Sequence, residues 1–223
     1  MCGLTGCRLP HRLCLRMPHL SVNFAISADG KISSASRQSS GWTSKADFQR
    51  LVDLRRPADA LLVGRGTLEA DRMTMTVPDA ARQPLRCVVS RRGKIDAAHP
   101  LFEREGGAIH LLVTGDAEPD VPASVTVHCG GLADFLAMLQ RDHGVRHVHC
   151  EGGGELVRAL AKDDLIDEIH LTWAGHTLFG GRDAPTITGV PGDFLPSSRL
   201  FELTHFEPRA DDGECFLTWK RTR

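Results

Sequence analysis

Neither sign of charge prevails in this 223-residue chain: 27 lysines and arginines face 28 aspartates and glutamates, for a formal net charge of −1. The electrostatic footprint of a nucleic-acid-binding surface is therefore missing. No apolar run approaches the length that crosses a membrane, and the first segment lacks the apolar core of a signal peptide. Seven cysteines are present, yet none forms C-x-x-C, and an odd count in an ordinary composition speaks against a disulfide framework. Cys87, Cys150 and Cys215 lie in apolar or alternating runs and read as buried, reduced thiols, while Cys2, Cys7 and Cys14 are too far apart for common zinc spacings. A reducing cytoplasm is the expectation. Internal repeats, low-complexity linkers and a second domain are also missing, and 223 residues with 41% hydrophobic content suit one domain. Met1 to Pro18 carries Arg8, Arg12 and Arg16 and no acid; it reads as a disordered tail or a start set too early, ahead of a domain spanning residues 19–223.

What is present is an alternation of strands and helices. Val22–Ser27 reads as a mostly buried strand closed by Asp29-Gly30. A polar stretch, Ser33 to Ser40, reads as a mobile loop before Gly41-Trp42. Thr43 or Ser44 caps a helix whose Phe48, Leu51 and Val52 share a face and which Pro57 stops. Ala60–Val63 is a short buried strand, with a helix expected from near Thr67. Further strands fit Leu85–Ser90, Ile109–Thr114, Val125–His128, Arg146–Cys150 and Glu168–Trp173. Leu132, Phe135, Leu136 and Leu139 mark an amphipathic helix. Leu200–Phe206 and Glu214–Lys220 alternate as a hairpin around Asp211-Asp212-Gly213. The expected fold is α/β, with a mostly parallel sheet covered on both faces and an antiparallel edge.

Gly152-Gly153-Gly154 sits between a strand and a helix, where backbone approaches a ligand closely and a helix N-terminus favours an anion. No third glycine completes G-x-G-x-x-G and no lysine follows as in a P-loop, so a phosphate-bearing ligand and a plain tight turn both fit. Ligands gather at the carboxyl ends of parallel strands. Ser27–Lys31, Gly64–Thr67, Ser90–Arg92 and Glu151–Gly154 would all meet there, bringing glycine, hydroxyl and basic groups together. His147 and His149 alternate on one strand face with His143 nearby, but no matching carboxylate pattern joins them, and sheet packing is the favoured reading.

The chain resembles the dihydrofolate-reductase-like superfamily, and more closely the reductase domain of riboflavin biosynthesis. The resemblance rests on Phe24–Ile32, Gly41–Ser44, Ala60–Asp71, Pro84–Ser90, Glu151–Leu156, Leu165–Glu168 and Leu178–Gly181, in that family's order and spacing. It implies an NADPH-dependent reductase that converts a ribosylamino to a ribitylamino pyrimidine phosphate, working as a homodimer on a small-molecule substrate. By the same resemblance Gly64, Arg65 and Thr67 hold the pyrophosphate and 2′-phosphate, with Ser90 and Arg91 beside the latter. Gly152, Gly153 and Gly154 would lie against the nicotinamide side of the pyrophosphate, with Ala25, Glu155 and Leu156 also binding the cofactor, and Trp42 would pack beside the nicotinamide or substrate ring or in the core. Asn23, Lys31, Asp71 and Arg72 would meet substrate, and Asp71, Glu151 and Lys31 would serve the proton transfers of ring opening and imine formation. Guanidinium groups bind phosphates bidentately, and the hydride belongs to the cofactor while the protein orients both partners.

Two departures from the family pattern bear on substrate. Asp71 continues as Arg72-Met73-Thr74-Met75-Thr76-Val77-Pro78, without the arginine expected to hold substrate phosphate. A second arginine, expected in the first helix, aligns with Phe48 or Gln49. Either Arg72 or Arg50 compensates, or the substrate lacks that phosphate. The zinc deaminase signature often fused to this reductase, H-x-E with P-C-x-x-C, is missing. Two alternatives stand beside the leading reading. One is a same-fold reductase of another pteridine-type substrate such as dihydrofolate, although Asp47–Leu54 lacks that enzyme's substrate-helix pattern. The other is a catalytically silent NADP-binding module, against which Lys31, Asp71 and Glu151 argue.

Overall fold

The computed structural model describes residues 17–37, 41–189 and 200–222; the tail through Arg16 and the end of the polar loop lie outside the described residues. Nine strands form one sheet in the order β5-β4-β3-β2-β6-β1-β7-β9-β8. The strands are β1 (His19–Ser27), β2 (Ala60–Gly64), β3 (Leu85–Ser90), β4 (Ile109–Val113), β5 (Val125–Cys129), β6 (His147–Cys150), β7 (Glu168–Ala174), β8 (Phe201–Arg209) and β9 (Glu214–Arg221). From β5 to β7 every pairing is parallel, and β9 and β8 add antiparallel at one edge. The expected α/β architecture with its C-terminal hairpin is the one observed.

The helices are α1 (Lys45–Arg55), α2 (Arg65–Ala70), α3 (Pro100–Glu103), α4 (Leu132–His143) and α5 (Gly154–Lys162). Ser44 caps α1, its hydroxyl accepting from the Asp47 amide at 3.1 Å. α4 ends at Gly144, whose φ of 66° is the left-handed conformation glycine adopts without penalty. None of the described helices is long and apolar enough to cross a membrane.

The two faces of the sheet differ. On one, Leu20, Val22, Phe24, Val148 and Cys150 meet Leu136, Leu139, Leu156 and Leu160 of α4 and α5 in a continuous apolar core. On the other, the β2–β4 half is apolar around Leu61, Val63, Val88 and Leu111. The β6-β1-β7-β9 half of that face is polar: Ser21, His149, His170, Thr172 and Thr218 are all buried there. Helix α1 covers this half with Arg50 and Arg55 turned inward.

Local expectations needed correction. Phe48 is 63% exposed and does not join Val52 in the core, because the surface beneath α1 is polar. The helix expected near Thr67 starts at Arg65. Cys87 and Cys150 are buried, but Cys215 is only half-buried, since it lies on a strand close to the sheet edge.

Candidate active site

The strand order places β3, β2, β6 and β1 side by side, so their carboxyl ends form one contiguous edge. The turns after β2 and β6 lock together there. The Gly64 amide donates to the Gly152 carbonyl at 2.7 Å, and the Glu151 amide donates to the Leu62 carbonyl at 2.9 Å. Gly152 has φ 91°, and a Cβ on it would meet the Phe24 ring at 3.0 Å. A Cβ on Gly153 would sit 2.6 Å from the Thr67 hydroxyl, and one on Gly154 2.7 Å from the Thr186 carbonyl. The triplet is glycine because three separate segments close on it.

Gly153 is the N-cap of α5 and offers no side chain, so no side-chain acceptor meets the first amides of that helix. Gly66 faces open space, with nothing within 4 Å of where its Cβ would be. These features fit an anionic cofactor against the Gly64–Thr67 and Gly152–Gly154 turns. Arg65 meets Glu69 at 3.0 Å, and Arg91 meets Glu155 at 3.2 Å as a largely exposed pair. Ser90 is buried, its oxygen accepting from the Arg92 and Gly93 amides, so it shapes the turn that displays Arg91. The Leu156 side chain is buried in the core and leaves only its backbone to a ligand, because α5 turns that face to the sheet.

Beside the glycine turn, Glu151 meets an arginine that the sequence reading missed. Arg55 donates from Nε and Nη2 to its two carboxylate oxygens, each at 2.6 Å, and from Nη1 to the Thr76 carbonyl at 3.2 Å. Burial opposes the charge on Arg55, yet attraction and hydrogen bonding from Glu151 leave its pKa raised. The available signal was an arginine in the last helical turn ahead of a buried strand, which reads equally well as dipole compensation. Arg50, offered as a substitute phosphate ligand, is committed instead. It donates to Thr172, the Leu217 carbonyl and Thr218 and covers the Phe216 ring at 4.8 Å. Arg72 is exposed, at φ 46° just past α2, and Asp71 caps the C-terminus of that helix.

From β1, Ala25 pairs with Thr172 of β7, and Asn23 holds its Oδ1 buried without a hydrogen-bond partner. Ser27 donates to Asp29 at 2.6 Å and accepts from the Lys31 amide at 3.0 Å. This hydroxyl, foremost, holds the Asp29 carboxyl below its usual range. Asp29 also accepts from the amides of Phe179 and Gly180, tying the β1 turn to the 178–181 segment. Trp42 packs edge-on against Phe179, with 5.0 Å between centroids, and its carbonyl faces His176. Lys31 and Trp42 are thus brought to the end of β1, the first through Ser27 and the second through the 178–181 segment. His147 and His149, left over from the sequence reading, both lie 2.8 Å from the Ser21 hydroxyl.

The model of the RibD C-terminal domain matches residues 18–211, nearly the whole of this framework. The chain belongs to that family. The 2,5-diamino-6-ribosylamino-4(3H)-pyrimidinone 5′-phosphate reductase of Archaeoglobus fulgidus is 34% identical over 204 residues, covering 83% of this chain and 92% of that protein. RibD of Acinetobacter baumannii shares the fold at a TM-score of 0.76 and 23% identity, over 93% of this chain and 59% of that one. The dihydrofolate reductase of Enterococcus faecalis shares it at 0.56 and 14% identity, over 92% and 97%. This member of the RibD C-terminal domain family is an oxidoreductase of dihydrofolate-reductase-like fold, and the family implies a nicotinamide cofactor.

Proposed function

We propose that the chain reduces a ribosylaminopyrimidine phosphate to its ribitylamino form in riboflavin biosynthesis, with NADPH as hydride donor. The observation that carries this is the joining of the Gly64–Thr67 and Gly152–Gly154 turns at an edge that also holds Asn23, Lys31 and Glu151. NADPH supplies hydride when bound. The pyrophosphate is assigned to the glycine turns and to Thr67, and the 2′-phosphate to Arg65 and Arg91. Lys31, whose ammonium makes no bond to any described residue, and Asp71 are assigned to the proton movements of furanose opening. Glu151 keeps its place beside the reacting groups through Arg55. With Arg50 committed to the sheet, Arg72 takes the substrate phosphate.

Turnover of the aminopyrimidine phosphate and of dihydrofolate, each with NADPH and NADH, tests the reading through oxidation of the cofactor. Oxidation only with dihydrofolate, or with neither substrate, overturns it. The same reading includes a homodimer formed through β8, an edge strand whose Leu203 and Phe206 are more than half exposed. Phe206→Glu converting a dimeric scattering mass to a monomeric one is the expected result. It also includes a reducing cytoplasm, in keeping with the free thiols of Cys87, Cys129, Cys150 and Cys215.

A further inference from the structure

The polar half of the sheet holds a chain of protonatable groups that runs along the strands toward the glycine edge. His147 opens β6 at its amino end, beside the exposed ring of His19 at 5.3 Å. The Pro57 carbonyl favours its protonated form, and Nε2 lies 2.8 Å from the Ser21 hydroxyl. That hydroxyl lies 2.8 Å from Nδ1 of His149, which is fully buried. Nε2 of His149 and Oδ1 of Asn23 are both buried without a partner, on the same face of neighbouring strands. A serine hydroxyl has one proton for two imidazoles, so it donates to one and accepts from the other. Two orphaned polar atoms of this kind are where a buried water is held.

We propose that His147, Ser21 and His149 form a proton relay, which feeds the reduction from the amino edge of the sheet through a water between His149 and Asn23. The proposal rests on the reductase reading above, because adding hydride to a C=N bond consumes one proton per turnover. A proton enters at Nδ1 of His147, the nitrogen turned away from Ser21, and makes an imidazolium. The Nε2 proton of His147 passes to the Ser21 oxygen as the Ser21 proton passes to Nδ1 of His149, and the Nε2 proton of His149 leaves to the water. Both imidazoles end neutral as the other tautomer, and Ser21 again carries one proton. One proton enters, one leaves, and no electrons move. Turning of the two rings and the Ser21 hydroxyl resets the chain.

The surroundings suit a relay better than a resident acid. Burial foremost, then His170, His147, Arg55 and Arg50, holds His149 well below the usual imidazole range. Burial and His19 lower His147 as well, while Pro57, Glu168 and Asp59 pull the other way. The outer imidazole, nearer these acids, is the easier to protonate, and the inner one passes charge on without keeping it.

Ser21→Ala removes the shared oxygen and leaves a small residue that a strand accepts. Interrupting a positioned proton transfer should lower kcat by about 10²-fold, with KM for NADPH unchanged, a larger solvent deuterium isotope effect and partial rescue by imidazole buffer. Nitrogen-15 NMR of the ring nitrogens gives a readout independent of turnover. The parent should show His149 exchanging between tautomers, and Ser21→Ala should show one fixed tautomer in a folded protein. His149→Gln provides the second variant. Unchanged kcat and isotope effect in both variants, or a single His149 tautomer in the parent at every pH sampled, overturns the relay. Absence of parental turnover defeats the reductase reading instead, and the NMR result still judges the relay.

Discussion

Arg55 and Glu151 form a bidentate pair in which only 11% and 6% of the side chains are exposed. Removing one member of a buried pair leaves an uncompensated charge, so Glu151→Gln should cost about 3–5 kcal/mol of unfolding free energy in urea. Arg55→Met added to it should recover part of that loss; a single-variant cost below about 1 kcal/mol would mark the pair as solvated instead. Because its fold effect is this large, Glu151→Gln cannot by itself report on catalysis. Asp71→Asn is the cleaner probe. It should lower turnover on the order of 10²–10⁴-fold while NADPH affinity holds, and near-normal turnover would remove Asp71 from the proton transfers. Arg65→Ala should weaken NADPH by roughly 1.5–3 kcal/mol and barely alter NADH, whereas equal losses in calorimetry would reject its 2′-phosphate role.

At the scale of elements, the turns after β2 and β6 act as one unit through the Gly64–Gly152 hydrogen bond. At Gly153 the first atom a Cβ would meet is the Thr67 hydroxyl, at 2.6 Å. Even Gly153→Ala should therefore displace the start of α2 and weaken NADPH binding. In a Thr67→Ala background the same alanine meets no atom closer than the Thr67 Cβ position, at 4.0 Å. The double variant should thus bind NADPH more tightly than Gly153→Ala alone. If calorimetry finds the two equal, the Thr67 contact is not what demands glycine. Gly154 offers no such relief, because its close neighbours are the Thr186 carbonyl and the Gly189 amide of the backbone.

Across the whole molecule, buried histidines set the acid limit. Burial foremost pushes His110, which stacks on His128, and His170, which lies beside Glu168, down to about 4. His149 is lowered too. A histidine neutral in the fold and near 6.5 when unfolded binds more protons unfolded, so stability is full above 6.5 and falls as pH drops toward 4. Each such group contributes at most about 1.4 kcal/mol per pH unit in that window. Urea midpoints should fall steeply from pH 7 to 4.5, and the slope should lessen in His110→Phe. A flat profile would mean that these rings are solvated.

Much of this molecule was legible along the chain. Strand and helix alternation fixes an α/β fold, since periodicity and turn residues are local properties, and Gly144 and Ser44 end and begin helices through contacts a few residues long. The converging strand ends could likewise be read, because parallel strands bring their carboxyl ends to one edge. Sequence also left Arg50 and Arg72 equal as phosphate ligands, gave Glu151 a role without its arginine, and set His147 and His149 aside as packing. Those questions turn on which side chains face each other across strands distant in sequence. Arg50 is drawn to Thr172 and Thr218 and Glu151 to Arg55 because one half of a sheet face is polar and buried, and buried charges must find partners. Only the strand order β6-β1-β7-β9 assembles that half-face, and no local pattern encodes it.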